Sequence, residues 1–163
     1  MTVREASEGD IEMIKQIAQV SWEVDYPAIL NRENVDEAAT EWYTEDRLRT
    51  ALADENELLT LAETNSTAVG FAHCAWDNAN QTGAILRLYV LPDHRRAGHG
   101  ATLLDHARDV LSTRNIEEIQ AMVLAENEQG NTFYRAHGFE KVGEADTEIS
   151  GTTYRENTYT FET

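Results

Sequence analysis

The chain has 163 residues, with 30 Asp and Glu against 13 Lys and Arg, so its formal net charge is −17. Because domains usually span about 100–200 residues, we expect one domain over residues 1–163. The 41% hydrophobic content excludes a disordered acidic tail. The negative charge repels phosphate backbones and anionic membrane surfaces, so we expect neither nucleic acid nor a membrane as a partner.

The sequence shows no segment that would anchor, export or cross-link the chain. No apolar run reaches the ~18–20 residues of a spanning helix, and no apolar signal region follows Met1. Cys74 is the single cysteine, which excludes an intrachain disulfide and predicts a small buried strand residue. No histidine has metal-ligand spacing with carboxylates, so we expect no metal. These features favour a cytoplasmic protein.

The acidic composition has two interpretations. The carboxylates could attract a cationic substrate. Alternatively, they could adapt the protein to a salt-loaded cytoplasm, where charges are screened within ~3 Å at molar salt. Acidic residues occur in both halves of the chain, and Lys15 and Lys141 are the only lysines. We therefore favour the adaptation and expect a halophilic protein.

Hydrophobic periodicity predicts elements in the order βααα-βββ-α-β-α-ββ. A strand covers 2–6, a capping box at Ser7 begins a helix to about Trp22, and Thr44 caps another helix. The predicted helices after the first are 33–43, 45–53, 98–113 and 128–137. The predicted strands after the first are 57–64, 67–76, 84–91, 118–124 and two within 139–162, with Asn65 and Ser66 as a hairpin turn. This order predicts a mixed α/β domain without regular doubly wound repeats.

The segment between the strand end at Pro92 and the next helix reads DHRRAGHG over residues 93–100. Glycines before a helix let backbone N–H groups turn toward a ligand, and the helix N-terminus adds the positive end of its dipole. Arg95 and Arg96 add fixed positive charge at the same turn. The pattern predicts a phosphate or pyrophosphate site, and the alternative is a plain turn with two solvated arginines. It fits neither a Walker A loop nor a dinucleotide fingerprint, whose third glycine is Leu103 here.

Two segments carry a family resemblance. Residues 95–100 (RRAGHG), after a Val-x-Pro strand end, fit Gln/Arg-x-x-Gly-x-Gly/Ala and resemble motif A of the GNAT family of acetyl-CoA-dependent N-acetyltransferases. Residues 127–139 (NEQGNTFYRAHGF) resemble that family's Asn-x-x-Ala-x-x-x-Tyr-x-x-x-Gly-Phe segment, with Gly130 at the usual Ala. The resemblance covers essentially the whole chain. It implies a mixed, mostly antiparallel sheet flanked by helices, with a splayed V-shaped cofactor cleft between strands 84–91 and 118–124.

The resemblance also implies roles for matching residues. The cofactor-binding residues that it implies are Leu88, Tyr89, Val90, Arg95, Arg96, Ala97, Gly98, His99, Gly100, Ala101, Asn127 and Tyr134. The backbone N–H groups from Arg96 to Ala101 would hold the coenzyme A pyrophosphate, and the Val90 N–H would bind the thioester carbonyl. Tyr134 would protonate the leaving thiolate. The segment 21–26 resembles a Trp-x-x-x-Tyr segment of small members, which implies Trp22 and Tyr26 as acceptor-binding residues, and their spacing also fits core packing.

The sequence leaves the general base, the acceptor and the oligomeric state open. The candidates for the base are Glu126, Glu63, His73, Asp77 and water. The acceptor could be a small amine, a peptide N-terminus or a lysine side chain, and a homodimer could pair the terminal strands. Two alternatives remain to acetyl transfer from acetyl-CoA to a primary amine. One is a non-catalytic acyl-CoA-binding sensor on the same fold, and the other is a different nucleotide-binding protein.

Overall fold

In the computed structural model, which describes residues 2–25, 44–149 and 151–163, the chain forms a seven-stranded sheet covered by helices on both faces. The strands are β1 (Thr2–Glu5), β2 (Glu57–Thr64), β3 (Thr67–Asp77), β4 (Thr82–Val90), β5 (Glu118–Leu124), β6 (Glu140–Ile149) and β7 (Thr152–Glu162). The helices are α1 (Ile11–Asp25), α2 (Glu45–Ala53), α3 (His99–Thr113) and α4 (Glu128–Ala136). The predicted order is confirmed over these residues. The helix predicted over 33–43 lies outside the described residues.

Local polar groups set several of these boundaries. The Ser7 N–H donates to the Asp10 carboxylate at 2.8 Å ahead of α1, as the capping box predicts. The Thr44 hydroxyl accepts from the Arg47 N–H at 3.2 Å and caps α2. Asn65 and Ser66 have φ values of 52° and 64°, which suits a tight hairpin turn between β2 and β3.

The strand order in the sheet is β1-β2-β3-β4-β5-β7-β6. Neighbouring strands are antiparallel except β4 and β5, which are parallel. This parallel pairing covers only Thr82–Ile85 against Glu118–Ala121. The register of β4 on β3 shifts at Leu86, where one extra residue forms a bulge. The two strands therefore separate beyond the bulge and leave the predicted V-shaped gap.

The sheet buries an apolar layer on each face. One layer joins α1 and α2 to β2 and β3, and its members include Ile14, Ile17, Leu48 and Phe71. The other joins α3 and α4 to the opposite face, and its members include Leu104, Leu111, Ile119 and Tyr159. These layers fix the two helix pairs on opposite faces of the sheet. None of the helices in the described segments has the length and apolar character needed to cross a membrane.

Candidate active site

A cavity of about 950 Å³ fills the gap between β4 and β5. Its charged lining residues, among those that the structure describes, are Arg87, Arg95, Arg96 and Glu156. Three arginines therefore line one cavity in a chain whose net charge is −17. Because low-dielectric walls concentrate the field of charges that line a cleft, this cleft suits an anionic ligand.

Backbone alternation determines which way the end of β4 presents its N–H groups. The Leu91 N–H donates to the Val69 carbonyl of β3 at 2.8 Å. In an antiparallel pair, successive residues direct their hydrogen-bonding groups to opposite sides, so the N–H of Val90 faces away from β3 and into the gap. The Val90 carbonyl lies on that same side and accepts from Arg95 Nε at 2.9 Å. The gap thus has a backbone donor where the sequence predicts one.

The turn ahead of α3 has the backbone shape that an anion site needs. Arg96 and Gly98 have φ values of 63° and 88°, in the left-handed region. Glycine adopts this conformation without a steric cost, whereas a side chain at Gly98 would be strained. Arg95 folds back on the strand end, and its Nη1 also lies 3.4 Å from Gln129 Oε1. The side chain of Arg95 therefore holds the turn against β4 and α4.

Several polar groups lie at the N-terminus of α3. The first helical hydrogen bond of α3 runs from the Thr102 N–H to the Gly98 carbonyl at 3.0 Å, so the N–H groups of His99, Gly100 and Ala101 precede it. His99 lines the cleft, and its buried Nδ1 has no hydrogen-bond partner among the described residues. Burial lowers the pKa of His99, and nearby His94 lowers it further. Backbone N–H groups that precede the first helical hydrogen bond suit the pyrophosphate of coenzyme A.

Tyr134 enters the cleft from α4. Its ring stacks on Tyr159 and meets the edge of Phe139, with centroids 6.3 Å and 5.2 Å away. Burial raises the pKa of the Tyr134 phenol well above its usual range. The hydroxyl consequently stays protonated at neutral pH and can donate a hydrogen bond or a proton.

A buried polar network holds α4 in place, and sequence reasoning missed it. Asn131 Nδ2 donates to the carbonyls of Asn127 and Leu124 at 2.7 Å and 3.0 Å. Its Oδ1 accepts from the Tyr159 hydroxyl at 2.6 Å and from Asn157 Nδ2 at 2.8 Å. Since Asn131 is 4% exposed, this network fixes the helix that bears Tyr134 to β5 and β7.

Asn127, the predicted cofactor residue, lines the cleft and also caps α4. Its Oδ1 accepts from the Gly130 N–H at 3.0 Å. A Cβ at Gly130 would lie 2.8 Å from Asn127 Nδ2 and 2.9 Å from a Val123 methyl group. The departure from the usual Ala at this position therefore has a local cause: Gly130 leaves room for the Asn127 amide.

Trp22 lines the cleft from the α1 side and is only 2% exposed. Its indole Nε1 donates to the Tyr89 hydroxyl at 2.7 Å. It therefore combines core packing with a place in the cleft wall. Tyr26, its predicted partner in acceptor binding, lies outside the described residues.

The four side chains that the sequence offers as the general base do not line the cleft. None of Glu126, Glu63, His73 and Asp77 is among its described lining residues. His73 Nε2 instead lies 2.8 Å from Glu57, Glu63 pairs with Arg4, and Asp77 accepts from the Ala79 N–H. Among the predicted cofactor residues, Ala97 is likewise absent from the described lining. The lining carboxylate is Glu156 of β7, which no local sequence pattern indicates.

Two further sequence predictions concern the single cysteine and metal binding. Cys74 is buried in β3 as predicted, and burial raises its pKa to about 12. Within the described segments, no three His, Cys, Asp or Glu side chains lie in a group that could hold a metal ion.

Comparison with known proteins gives the family. The model of the acetyltransferase (GNAT) family matches residues 12–139. A spermidine N(1)-acetyltransferase of Thermoplasma acidophilum is 29% identical over 148 residues, which cover 88% of this chain and 90% of that protein. An uncharacterized N-acetyltransferase of Bacillus subtilis is 26% identical over 164 residues, with 96% and 90% covered.

Solved structures agree with the family match. The crystal structure of the PaiA N-acetyltransferase from Thermoplasma acidophilum, in complex with coenzyme A, superposes with a TM-score of 0.82. It is 26% identical, and the alignment covers 96% of each chain. The splayed strands, the glycine turn and the family match together lead to one conclusion. The chain belongs to the acetyltransferase (GNAT) family and is an N-acetyltransferase that transfers an acetyl group from acetyl-CoA to an amine.

Proposed function

We propose that the cleft holds acetyl-CoA with its pyrophosphate on the backbone N–H groups of residues 96–101 and its thioester at the Val90 N–H. The observation that carries this proposal is the gap beyond Leu86, with a backbone donor on β4 and an arginine-flanked helix N-terminus at its rim. The side chains of Leu88 and Tyr89, and the amide of Asn127, would then contact the arm of the cofactor.

The chemistry that we assign to these groups is direct transfer. The neutral amine attacks the thioester carbonyl, and the Val90 N–H stabilises the oxyanion, an effect worth about 3–4 kcal/mol per donor in comparable sites. The phenol of Tyr134 protonates the departing thiolate, and burial keeps this hydroxyl in its protonated form until that step. Much of the rate enhancement comes from holding the two substrates together.

For the acceptor, we propose a small primary amine that enters from the α1 side past Trp22. The relative from Thermoplasma acidophilum is named a spermidine N(1)-acetyltransferase, which makes spermidine the first acceptor to test.

We further propose that residues 1–163 form a single cytoplasmic domain adapted to high salt. A homodimer that pairs terminal strands would use β6, which lies at the edge of the sheet. Light scattering across protein concentrations tests this arrangement.

The test of the function is a pair of measurements in high-salt buffer. Thermal shifts are recorded with acetyl-CoA, coenzyme A, ADP and NAD, and thiol release is followed over a panel of amines that includes spermidine. We expect preference for coenzyme A species and turnover on at least one amine. Equal shifts with ADP and NAD would overturn the cofactor assignment. Binding without turnover on any amine would instead favour an acyl-CoA sensor.

A further inference from the structure

The cleft contains a carboxylate that the proposed chemistry has not used. Glu156 lies on β7, and its backbone pairs with Leu124 at the end of β5. This end of β5 is the one that diverges from β4, since the two strands are parallel and pair only at their beginnings. Of the acidic side chains in the described segments, Glu156 alone lines the cavity.

Strand alternation places Glu156 on the acceptor side of the sheet. Asn157 and Tyr159 both hydrogen-bond to Asn131 on α4, so they point to the α4 face. Successive side chains along a strand point to opposite faces, so Glu156 points to the α1 face. Tyr89, which bonds to Trp22 on α1, points to that face as well. Glu156 and Tyr134 therefore reach the gap from opposite faces of the sheet.

The surroundings of Glu156 suit a proton acceptor. Burial raises the pKa of its carboxyl, and Arg87 across the cleft on β4 opposes that rise. The side chains of Met122, Leu124 and Thr147, from the adjacent strands β5 and β6, line the same cavity and carry no charge. The other ionisable groups that line this cleft are Arg87, Arg95, Arg96, Tyr89, Tyr134, His94, His99 and His137. A carboxylate whose pKa is raised accepts a proton more effectively than an exposed one.

We propose that Glu156 binds the acceptor's ammonium group and takes one of its protons before the amine attacks. This inference rests on the proposed function, since it assumes that the thioester lies at Val90. It replaces Glu126, Glu63, His73 and Asp77, none of which lines the cleft, and the route through water. It also explains how a cationic amine meets the cofactor in a cleft that three arginines line.

The protons and bonds of this step balance. The ammonium gives one proton to the Glu156 carboxylate, and the free nitrogen lone pair forms the C–N bond to the thioester carbonyl. The adduct then collapses, the C–S bond breaks, and the sulfur takes the proton of the Tyr134 hydroxyl. The nitrogen gives its second proton to the Tyr134 phenolate, which restores the hydroxyl. Glu156 then releases its proton to solvent. The products are the amide, free coenzyme A and one proton.

The test compares Glu156→Gln with a matched control, Glu162→Gln. Both variants lose one carboxylate from the same strand and face, but Glu162 is exposed and does not line the cleft. Acetyl-CoA affinity is measured by titration, and kcat and KM are measured with the best amine of the panel. We expect Glu156→Gln to lose about 100-fold or more of kcat/KM near neutral pH, with acetyl-CoA affinity retained. Glu162→Gln should match the wild type.

The pH profile separates proton transfer from a structural role. Protonation of Glu156 disables it, so the wild-type rate falls as pH drops through the pKa of this carboxyl. In Glu156→Gln the acidic limb that Glu156 causes is lost. The rate of the variant instead rises with the fraction of unprotonated acceptor amine, up to the amine pKa of about 10. The deficit of the variant should therefore shrink as pH rises.

Two results would overturn the inference: wild-type kinetics in Glu156→Gln, or a deficit that stays constant across pH. Failure of the proposed function is distinguishable, because it would appear in the wild type itself, as absent turnover or absent preference for coenzyme A.

Discussion

The indole Nε1 of Trp22 donates a hydrogen bond to the hydroxyl of Tyr89, with the two atoms 2.7 Å apart. Trp22 belongs to α1, and Tyr89 lies on the part of β4 that has left β5. Tyr89 also meets Phe71 of β3 edge to face, with centroids 5.6 Å apart. The hydrogen bond therefore supports the end of β4 that no longer pairs with β5, next to Val90, against α1.

Removing this hydrogen bond should loosen the end of β4. Tyr89→Phe keeps the ring but loses the hydroxyl, and a neutral hydrogen bond contributes about 1 kcal/mol. For a domain of this size we expect the melting temperature to fall by about 2–4 °C. We also expect a higher KM for the acceptor, because both residues line the cleft. Calorimetry and steady-state kinetics measure these effects, and an unchanged melting temperature would contradict this supporting role.

Tyr134→Phe separates catalysis from binding. The variant keeps the ring that packs on Tyr159 and Phe139 but cannot protonate the thiolate. Proton transfer by a positioned group typically contributes about 10²–10⁴-fold. We expect kcat to fall within that range while the acetyl-CoA dissociation constant and the melting temperature remain close to wild type. Full turnover in the variant would mean that another group, or water, supplies the proton.

Gly98→Val tests the turn that we assign to the pyrophosphate. The φ value of Gly98 is 88°, which is costly for any L side chain and worst for a β-branched one. The turn must rearrange, so coenzyme A affinity should fall. The matched control is Gly143→Val on β6, where a Cβ would have no neighbour within 4 Å. Titration calorimetry compares the two, and equal affinities would count against the turn as the anion site.

Asn131→Leu tests the polar network beneath α4. The substitution leaves the Tyr159 hydroxyl and the Asn157 amide without their acceptor, and a buried group without a partner costs about 1–3 kcal/mol. We expect a measurable loss in the free energy of unfolding by urea, with kcat falling as Tyr134 loses its fixed position. Arg135→Leu on the exposed side of the same helix is the control. Equal stability of the two variants would show that the network contributes little.

Local sequence signals predicted most of the fold. They did not predict the features that tertiary contacts determine. The capping residues Ser7 and Thr44 and the hairpin turn at Asn65 depend on nearby backbone groups, so short windows of sequence contain them. The bulge at Leu86 and the network at Asn131 depend on partners that are distant in sequence. The family resemblance implied the splayed strands, and nothing in the sequence indicated the network.

The same distinction applies to the candidate site. The glycine turn is one continuous segment, and the sequence indicated it. Glu156 becomes significant only because β7 lies beside β5, a pairing that no local pattern contains. The side chains that the sequence offered as the base therefore lie on β2, on β3 and just after β5, and none lies on β7.

The remaining prediction concerns salt. A protein of net charge −17 repels the polyanionic cofactor over long distances, whereas Arg95 and Arg96 attract it at the turn itself. From about 0.1 M to about 1 M salt the Debye length falls from about 10 Å to about 3 Å, which removes the distant repulsion more than the direct contacts. We therefore expect coenzyme A to bind more tightly as KCl is added, and Arg96→Gln to weaken binding at every salt concentration. Equilibrium titrations over this range provide the measurement, with sucrose replacing KCl to control for water activity. A steady loss of affinity with KCl would mean that the local arginine contacts outweigh the field of the whole chain.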